Sequence, residues 1–254
     1  MKDLDFLIQY LLSERRDLKD IVVPEAEADK FRLYRSLVNI RPAVRADASF
    51  LQAEDAFLQE MTAQKGITSL TDLTPAETGI YLWRGDITTL KCGAIVNAAN
   101  SGMTGCWQPC HSCIDNCIHT FAGVRLRYKC NQIMQAQGHE EPTGRAKITP
   151  AYNLPCRYVI HTVGPIVQGR LTRRHEEQLV SCYRSCLALA EENGCRSIAF
   201  CCISTGVFGF PKQRAAEIAV RTVREYRTEI DSRIEVIFNV FRSFDYELYR
   251  DVLG

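Results

Sequence analysis

From about residue 76 onward the chain alternates short apolar runs with longer amphipathic segments, and this alternation restricts the fold more than any other feature. The apolar runs predict strands at residues 80–83, 94–96, 146–149, 158–161, 198–203 and 236–241. The amphipathic segments predict helices at residues 114–137, 174–193, 212–229 and 244–252. Because the run at 198–203 is apolar on both faces of a strand, we expect a mostly parallel sheet that is covered by helices on both sides.

The first 75 residues follow a different, wholly helical pattern. Leu4, Leu7 and Leu11 recur at three- and four-residue spacing, and two later segments repeat this period. Catalytic residue types do not cluster in this part of the sequence. We therefore divide the chain into a helical N-terminal extension, residues 1–75, and an α/β domain, residues 76–254.

Composition limits the partners and the location that the sequence predicts. The chain has 31 basic and 30 acidic residues, which argues against binding to a nucleic acid polymer, since phosphate backbones require clustered surplus cations. Neither a membrane-spanning apolar stretch nor a secretory signal is evident, so we expect a cytoplasmic protein without membrane contact. In that compartment the 12 cysteines are expected to be free or metal-bound thiols.

Residues 105–123 concentrate thiols and imidazoles to a degree that calls for a chemical explanation. The potential metal donors in this segment are Cys106, Cys110, His111, Cys113, Cys117 and His119. Thiolate and imidazole ligands favour zinc, and a structural zinc site would draw its closing pair from a second knuckle that the sequence lacks. Three donors from one loop would leave the fourth position open, as in catalytic zinc sites. The alternative is that these cysteines are small buried hydrophobic residues.

The helix that follows this loop places further polar groups beside it. Asp115 and Asn116 fall in the first turn of the predicted helix, where free amides and the positive end of the dipole attract anions. A ligand bound there would meet a metal, a carboxylate and backbone amides together. The plainer interpretation is that Asp115 only caps the helix.

Polar and glycine-rich segments follow several of the predicted strands. They are Asp86, Asn97 to Asn100, residues 204–211 and, at the end of the last strand, Phe241. Because ligands bind beyond the carboxyl ends of strands in open parallel sheets, these segments are expected to line one cleft. Taken singly, each is also an ordinary turn sequence. His161 is expected to be a hydrogen-bonded structural histidine.

Five ordered motifs resemble those of the macrodomain family. They lie at residues 85–88, 95–100, 160–165, 204–211 and 245–249, within a match that spans about residues 80–254. The resemblance implies a three-layer α/β/α sandwich on a mixed six-stranded sheet that binds ADP-ribose. The cysteine-rich loop and the helical extension are similar to those of zinc-dependent macrodomains, which are microbial protein-ADP-ribose hydrolases. Their genes often lie beside those of a sirtuin-type ADP-ribosyltransferase and a lipoyl-carrier protein.

The resemblance also implies roles for single residues. The pattern Cys-x4-His-x-Cys of the zinc-dependent group falls on Cys106, His111 and Cys113, which are the expected Zn²⁺ ligands. Asp115 resembles the catalytic aspartate, and Asn100 matches a position beside it near the distal ribose. The remaining positions are implied to bind substrate: Asp86 and Ile87 at the adenine, Phe241 over the adenine ring, Asn97 near the distal ribose, and Ser204, Thr205, Gly206, Val207, Phe208, Gly209 and Phe210 around the diphosphate.

These roles imply an enzyme that hydrolyses the bond between C1'' of the distal ribose and a protein side chain, and so releases mono-ADP-ribose. Zinc is expected to assist as a Lewis acid. Two alternatives remain open from the sequence. One is a non-catalytic module that reads ADP-ribose marks and holds a structural zinc, and the other is a hydrolase of the metabolite O-acetyl-ADP-ribose.

Overall fold

The computed structural model of the protein describes residues 2–18 and 20–254. In this part of the chain the α-helices are α1 (Lys2–Ser13), α2 (Glu27–Ile40), α3 (Ala48–Lys65), α4 (Ile114–Ala122), α5 (Val124–Gln137), α6 (Arg173–Glu192), α7 (Lys212–Glu229) and α8 (Ser243–Leu253). The β-strands are β1 (Thr68–Ser69), β2 (Pro75–Glu77), β3 (Ile80–Arg84), β4 (Leu90–Lys91), β5 (Ala94–Ala99), β6 (Ala146–Pro150), β7 (Tyr158–Val163), β8 (Ser197–Phe200) and β9 (Glu235–Val240). No helix of these residues is long and apolar enough to cross a membrane.

Within the described residues, seven strands form the main sheet in the order β2-β3-β9-β8-β5-β7-β6. The five inner strands run parallel, and the edge strands β2 and β6 are antiparallel to their neighbours. The predicted mixed sheet between helices is therefore confirmed. The predicted number of six strands is wrong, because β2 adds an edge strand. This strand begins with a proline and is largely exposed, so it leaves no apolar run in the sequence.

Most other elements lie where the sequence predicts them. The sequence does not predict the short parallel strands β1 and β4, and β1 lies in the extension that it predicts to be helical. Two predicted elements also have different bounds. The single helix predicted at 114–137 is divided into α4 and α5 at Gly123, which has a φ of +90° that favours glycine. The strand predicted at 198–203 ends at Phe200, so the three residues after it belong to the loop at the carboxyl edge of the sheet.

The helical extension packs directly on the α/β domain. Phe31 of α2 stacks on Phe121 of α4, with 6.1 Å between the ring centroids. Buried residues of α1, α2 and α3 belong to the same hydrophobic cluster as those of the sheet. The division of the chain at residues 75 and 76 stays a prediction.

Candidate active site and metal centre

Cys106, His111 and Cys113 converge in the loop between β5 and α4. Their ligand atoms all lie within 4.8 Å of one another, and Cys106 Sγ is 3.6 Å from His111 Nδ1. Zinc ligands at tetrahedral corners are about 3.5 Å apart, given bond lengths of about 2.0–2.3 Å. Among the described residues, no fourth histidine, cysteine or acidic side chain joins this group. The chemistry of these three donors therefore fits zinc.

The start of α4 explains the position of Cys113. This residue is the N-cap of α4, and its Sγ accepts a hydrogen bond from the Asn116 amide at 3.4 Å. Burial raises the pKa of Cys113 to about 12, so a bound cation is what would favour its thiolate form.

Cys110 and Cys117 face the extension instead of the three ligand residues. The Sγ atom of Cys110 lies 3.1 Å from Ser36 Oγ, and the Sγ atom of Cys117 lies 3.5 Å from the guanidinium of Arg35. Neither sulfur belongs to the group of ligand atoms.

Asp115 is the second residue of α4 and is only 5% exposed. Its carboxylate accepts hydrogen bonds from Asn97 Nδ2 at 2.8 Å and from Asn100 Nδ2 at 3.3 Å. Burial raises the pKa of Asp115 to about 6, although the hydrogen bond from Asn97 acts in the opposite direction. The structure therefore brings both predicted catalytic residues, Asp115 and Asn100, together.

The two asparagines differ in what they can contact. Asn100 also donates to the Gly105 carbonyl at 3.1 Å. This contact ties Asp115 to the start of residues 105–113, which carry the candidate metal ligands and are called the metal loop below. Asn97 lies inside β5 and is fully buried, between Asp115 and His161 Nδ1. The sequence placed it beyond the strand, near the distal ribose. Because β5 continues to Ala99, Asn97 lies within the strand, where its side-chain amide donates to the Asp115 carboxylate.

His119, which the sequence offers only as one of six potential metal donors, lies beside Asp115 and outside the group of Cys106, His111 and Cys113. Its Nε2 lies 3.5 Å from Asp115 Oδ1, which is long for a hydrogen bond, and neither ring nitrogen has a partner among residues 2–18 and 20–254. Burial lowers the pKa of His119 well below its usual value, so the ring is neutral. Its spacing of four residues from Asp115 was the signal, since such residues share a helix face. Gly105, with a φ of +84°, packs so closely on this ring that a Cβ atom would lie 2.8 Å from it.

Asp86 and Phe241 emerge from the neighbouring strands β3 and β9, whose last residues Arg84 and Val240 are paired. Asp86 accepts hydrogen bonds from the Thr88 amide and hydroxyl, and from Lys65 Nζ at 3.1 Å. Partial burial opposes its ionisation, but these hydrogen bonds and the Lys65 charge outweigh burial and lower the pKa of Asp86. The Phe241 side chain is 78% exposed and free to cover a ligand.

The loop after β8 presents backbone amides ahead of α7. Gly209, with a φ of +69°, donates to the Gly206 carbonyl at 3.1 Å. Within the described chain, the amides of Gly206, Val207 and Phe208 have no backbone acceptor. Three free amides before a helix N-terminus make a site suited to a diphosphate.

Four of the predicted substrate-binding residues have side chains that are buried or hydrogen-bonded within the protein. Ile87 and Phe210 are each 2% exposed, and their side chains pack in the hydrophobic core. Their predicted places at the adenine and in the diphosphate loop stay predictions. Apolar side chains next to a binding loop often anchor it, which the motif alone does not reveal. The Thr205 hydroxyl donates to the Cys202 carbonyl at 3.0 Å, and the Ser204 Oγ is buried. These residues shape the loop through their backbone.

The order of the strands arranges these groups in a line. Across the sheet, β3, β9, β8 and β5 are consecutive, and they lead to Asp86, Phe241, the free amides of 206–208, and the metal loop. Adjacent strands are about 4.8 Å apart, so this line extends over roughly 14 Å. It runs from Asp86 and Phe241 through the amides of residues 206–208 to the carboxylate of Asp115.

Comparisons with known proteins agree with this arrangement. The Macro domain family matches residues 96–219 of the chain. A Treponema medium protein named protein-ADP-ribose hydrolase is 59% identical over 254 residues, which cover 98% of this chain and 97% of the relative. The chain belongs to the macrodomain family.

One further relative and one solved structure are similar to this macrodomain over most of its length. A Staphylococcus aureus (strain MSSA476) protein named protein-ADP-ribose hydrolase is 48% identical over 253 residues, which cover 99% of this chain and 95% of the relative. The crystal structure of a Trypanosoma brucei macrodomain in complex with ADP-ribose matches with a TM-score of 0.67 and 30% identity. That match covers 91% of this chain and 97% of the T. brucei chain, so it includes most of the helical extension.

Proposed function

We propose that this macrodomain is a zinc-dependent hydrolase that removes mono-ADP-ribose from a modified protein by cleavage at C1'' of the distal ribose. The observation that carries the proposal is the line of sites along the sheet edge, which ends at Asp115 beside Cys106, His111 and Cys113. Relatives named protein-ADP-ribose hydrolase match the chain over nearly its whole length, and this similarity supports the same reaction class.

The ligand is proposed to lie along that line with its adenine at Asp86. The carboxylate of Asp86 would accept from the exocyclic amine, and Phe241 would cover the ring. The amides of residues 206–208 would bind the diphosphate, which leaves the distal ribose next to Asn100 and Asp115. The T. brucei macrodomain that resembles this chain was crystallised with ADP-ribose, in agreement with this choice of ligand.

In the proposed reaction, Asp115 acts as the general base. A water molecule attacks C1'', the bond from C1'' to the carrier side chain breaks with its electron pair leaving on that side chain, and the Asp115 carboxylate takes the proton that the water loses. Such assistance contributes ~100- to 10,000-fold. Asn97 and Asn100 hold the carboxylate in place through their amide donors.

Cys106, His111 and Cys113 are the residues that would hold the zinc ion. Zinc supplies Lewis-acid chemistry at the distal ribose, although two thiolates neutralise its charge and make it a weaker acid than in an all-histidine site. Cys113 caps the helix on which Asp115 lies, so one of the residues that would hold the ion and the proposed base share one element.

The proposed substrate can be tested by comparing two candidates, an ADP-ribosylated protein and O-acetyl-ADP-ribose. We propose that the modified protein is a lipoyl-carrier protein that a sirtuin-type transferase has ADP-ribosylated. Incubation with this protein should release free ADP-ribose, and O-acetyl-ADP-ribose should be hydrolysed more slowly. Binding of ADP-ribose without release from either compound would instead identify a reader module. Faster hydrolysis of the metabolite would identify a deacetylase.

A further inference from the structure

We infer that helix α2 of the N-terminal extension orients the residues of the metal centre, and that Arg35 is a positioning residue for the proposed zinc ligand His111. This inference rests on the proposed function, since it concerns the same metal. It assigns a role to a segment in which the sequence shows no cluster of catalytic residue types.

Arg35 connects the extension to the segment of candidate metal ligands, residues 106–113, and to the first turn of α4. Its Nη2 donates to the His111 carbonyl at 2.7 Å and to Asn116 Oδ1 at 2.8 Å, and its Nε donates to Asn116 Oδ1 at 3.2 Å. The guanidinium fork therefore fixes the backbone of one ligand residue relative to the first turn of α4. A flexible lysine ammonium cannot reproduce this planar arrangement.

Asn116 passes this constraint on to the rest of the loop. Its backbone amide donates to Cys113 Sγ at 3.4 Å, and its side-chain amide donates to the Gln108 carbonyl at 2.9 Å. Asn116 is fully buried and adjoins Asp115 in the sequence. A change in the Asn116 side chain would therefore disturb a ligand, the metal loop and the proposed base together.

A second residue of α2 supports the same loop. Asn39 Oδ1 accepts from the Cys110 amide at 2.9 Å, and Asn39 Nδ2 donates to Thr120 Oγ1 at 3.1 Å. Cys110 immediately precedes His111 and has a φ of +53°, which is costly for a residue with a side chain. The hydrogen bond that the Cys110 amide donates to Asn39 thus helps to hold a strained residue next to a proposed ligand.

The carbonyl of the ligand Cys106 is also tied to α2, through Arg127 of α5. The Nη2 of Arg127 donates to Cys106 O at 3.3 Å, while its Nη1 donates to Asn39 O at 2.6 Å and to Arg41 O at 3.0 Å. Two ligand residues are therefore held through their carbonyls by guanidinium groups that link them to α2. Groups that orient metal ligands in this way typically affect metal affinity or activity about 10- to 100-fold.

The test compares Arg35→Met with Arg32→Met in the full-length protein. Arg32 lies on the same helix with an exposed side chain, and it contributes only a backbone carbonyl, which accepts from Cys110 Sγ. The zinc dissociation constant is measured by competition with a chromogenic chelator. Visible d–d absorption after cobalt substitution reports the geometry of the ligands, and ADP-ribose affinity and melting temperature serve as controls.

We expect Arg35→Met to weaken zinc binding about 10- to 100-fold and to alter the cobalt spectrum, with adenosine-side binding retained and Arg32→Met like wild type. If Arg35→Met lowers the melting temperature markedly, Arg35→Lys is scored in its place. Wild-type zinc affinity and an unchanged cobalt spectrum in the scored variant would overturn the inference and leave the proposed function intact. Failure of the wild-type protein to bind zinc would overturn both.

Discussion

At the scale of single residues, the site depends on one buried carboxylate. Asp115 accepts from two asparagine amides at once, so an asparagine in its place would put an amino group against at least one of them. Asp115→Ala avoids that conflict. We expect this variant to fold and to bind ADP-ribose, but to turn over ~100- to 10,000-fold more slowly because the general base is missing.

Single-turnover release of ADP-ribose and calorimetric binding separate these two effects of Asp115→Ala. Asn153→Ala, which changes another buried asparagine whose side chain binds Gln59 and Ala122, controls for a general loss of stability. Hydrolysis at the wild-type rate would remove Asp115 from the mechanism.

Lys65 contacts Asp86, the residue predicted to bind the adenine, and so provides a second test. Its ammonium binds Asp86 Oδ2 at 3.1 Å and lies 3.5 Å from the centroid of the Phe121 ring. Both partners of the ion pair are about one-third exposed, and exposed pairs contribute roughly 0.2–1 kcal/mol. We expect Lys65→Met to raise KM by about 2- to 5-fold with kcat unchanged.

The adjacent residue provides the control for Lys65. Gln64 binds Glu60 on the same helix, so Gln64→Met should leave KM unchanged. An equal rise in KM for both variants would mean that the Lys65–Asp86 contact does not assist ligand binding.

The residues that could be predicted from sequence are those in short motifs. Cys106, His111, Cys113 and Asp115 lie within ten residues of one another, so their spacing alone indicates a joint site. Arg35 reaches Asn116 from 81 positions away, and no local pattern indicates such a contact. The same limit applies to Lys65 and Asp86.

At the scale of elements, the docking of α3 on the start of α5 is sensitive to pH. Glu54 of α3 is fully buried, and it accepts from Tyr34 Oη at 2.8 Å and from the Val124 amide at 3.0 Å. Burial raises the pKa of Glu54 to about 7, while these two hydrogen bonds and Arg125 lower it and Asp55 raises it further.

This shift predicts how Glu54 changes stability with pH. Because the folded pKa lies above the unfolded value of about 4.3, the protonated group favours folding at low pH, and this contribution is lost as pH rises through about 7. We expect the free energy of unfolding of wild type to fall by roughly 3 kcal/mol relative to Glu54→Gln between pH 4.5 and pH 8.

Urea denaturation at several pH values measures this difference. Glutamine suits the comparison, since its oxygen can accept from Val124 and its amino group can donate to Tyr34. Parallel pH profiles for the two proteins would show that Glu54 has the same pKa in the folded and unfolded chains.

The elements themselves were largely predictable, and the exceptions have physical causes. Periodicity places α6, α7 and α8 because each buries one apolar face. It does not divide α4 from α5, since the apolar pattern continues across Gly123 and only the φ of that glycine ends the first helix. Edge strand β2 lacks an apolar pattern because two of its three residues are exposed to solvent.

At the scale of the whole molecule, the extension and the α/β domain share one hydrophobic core. That cluster contains Leu7 of α1, Tyr34 of α2 and Phe50 of α3 together with Ile95 and Phe238 of the sheet. We expect thermal unfolding to be a single transition, with far-ultraviolet circular dichroism and tryptophan fluorescence in agreement. Because Trp83 and Trp107 both lie outside the extension, separate transitions for the two signals would show that the extension unfolds by itself.

We propose that a zinc ion held by Cys106, His111 and Cys113 is required for the hydrolysis in which Asp115 acts as the general base. The most direct measurement is the rate of ADP-ribose release from modified carrier protein by enzyme that is stripped of metal and then reloaded with zinc. We expect stripped enzyme still to bind ADP-ribose but to have lost turnover, and one equivalent of zinc to restore it. Undiminished hydrolysis by the stripped enzyme would contradict this proposal.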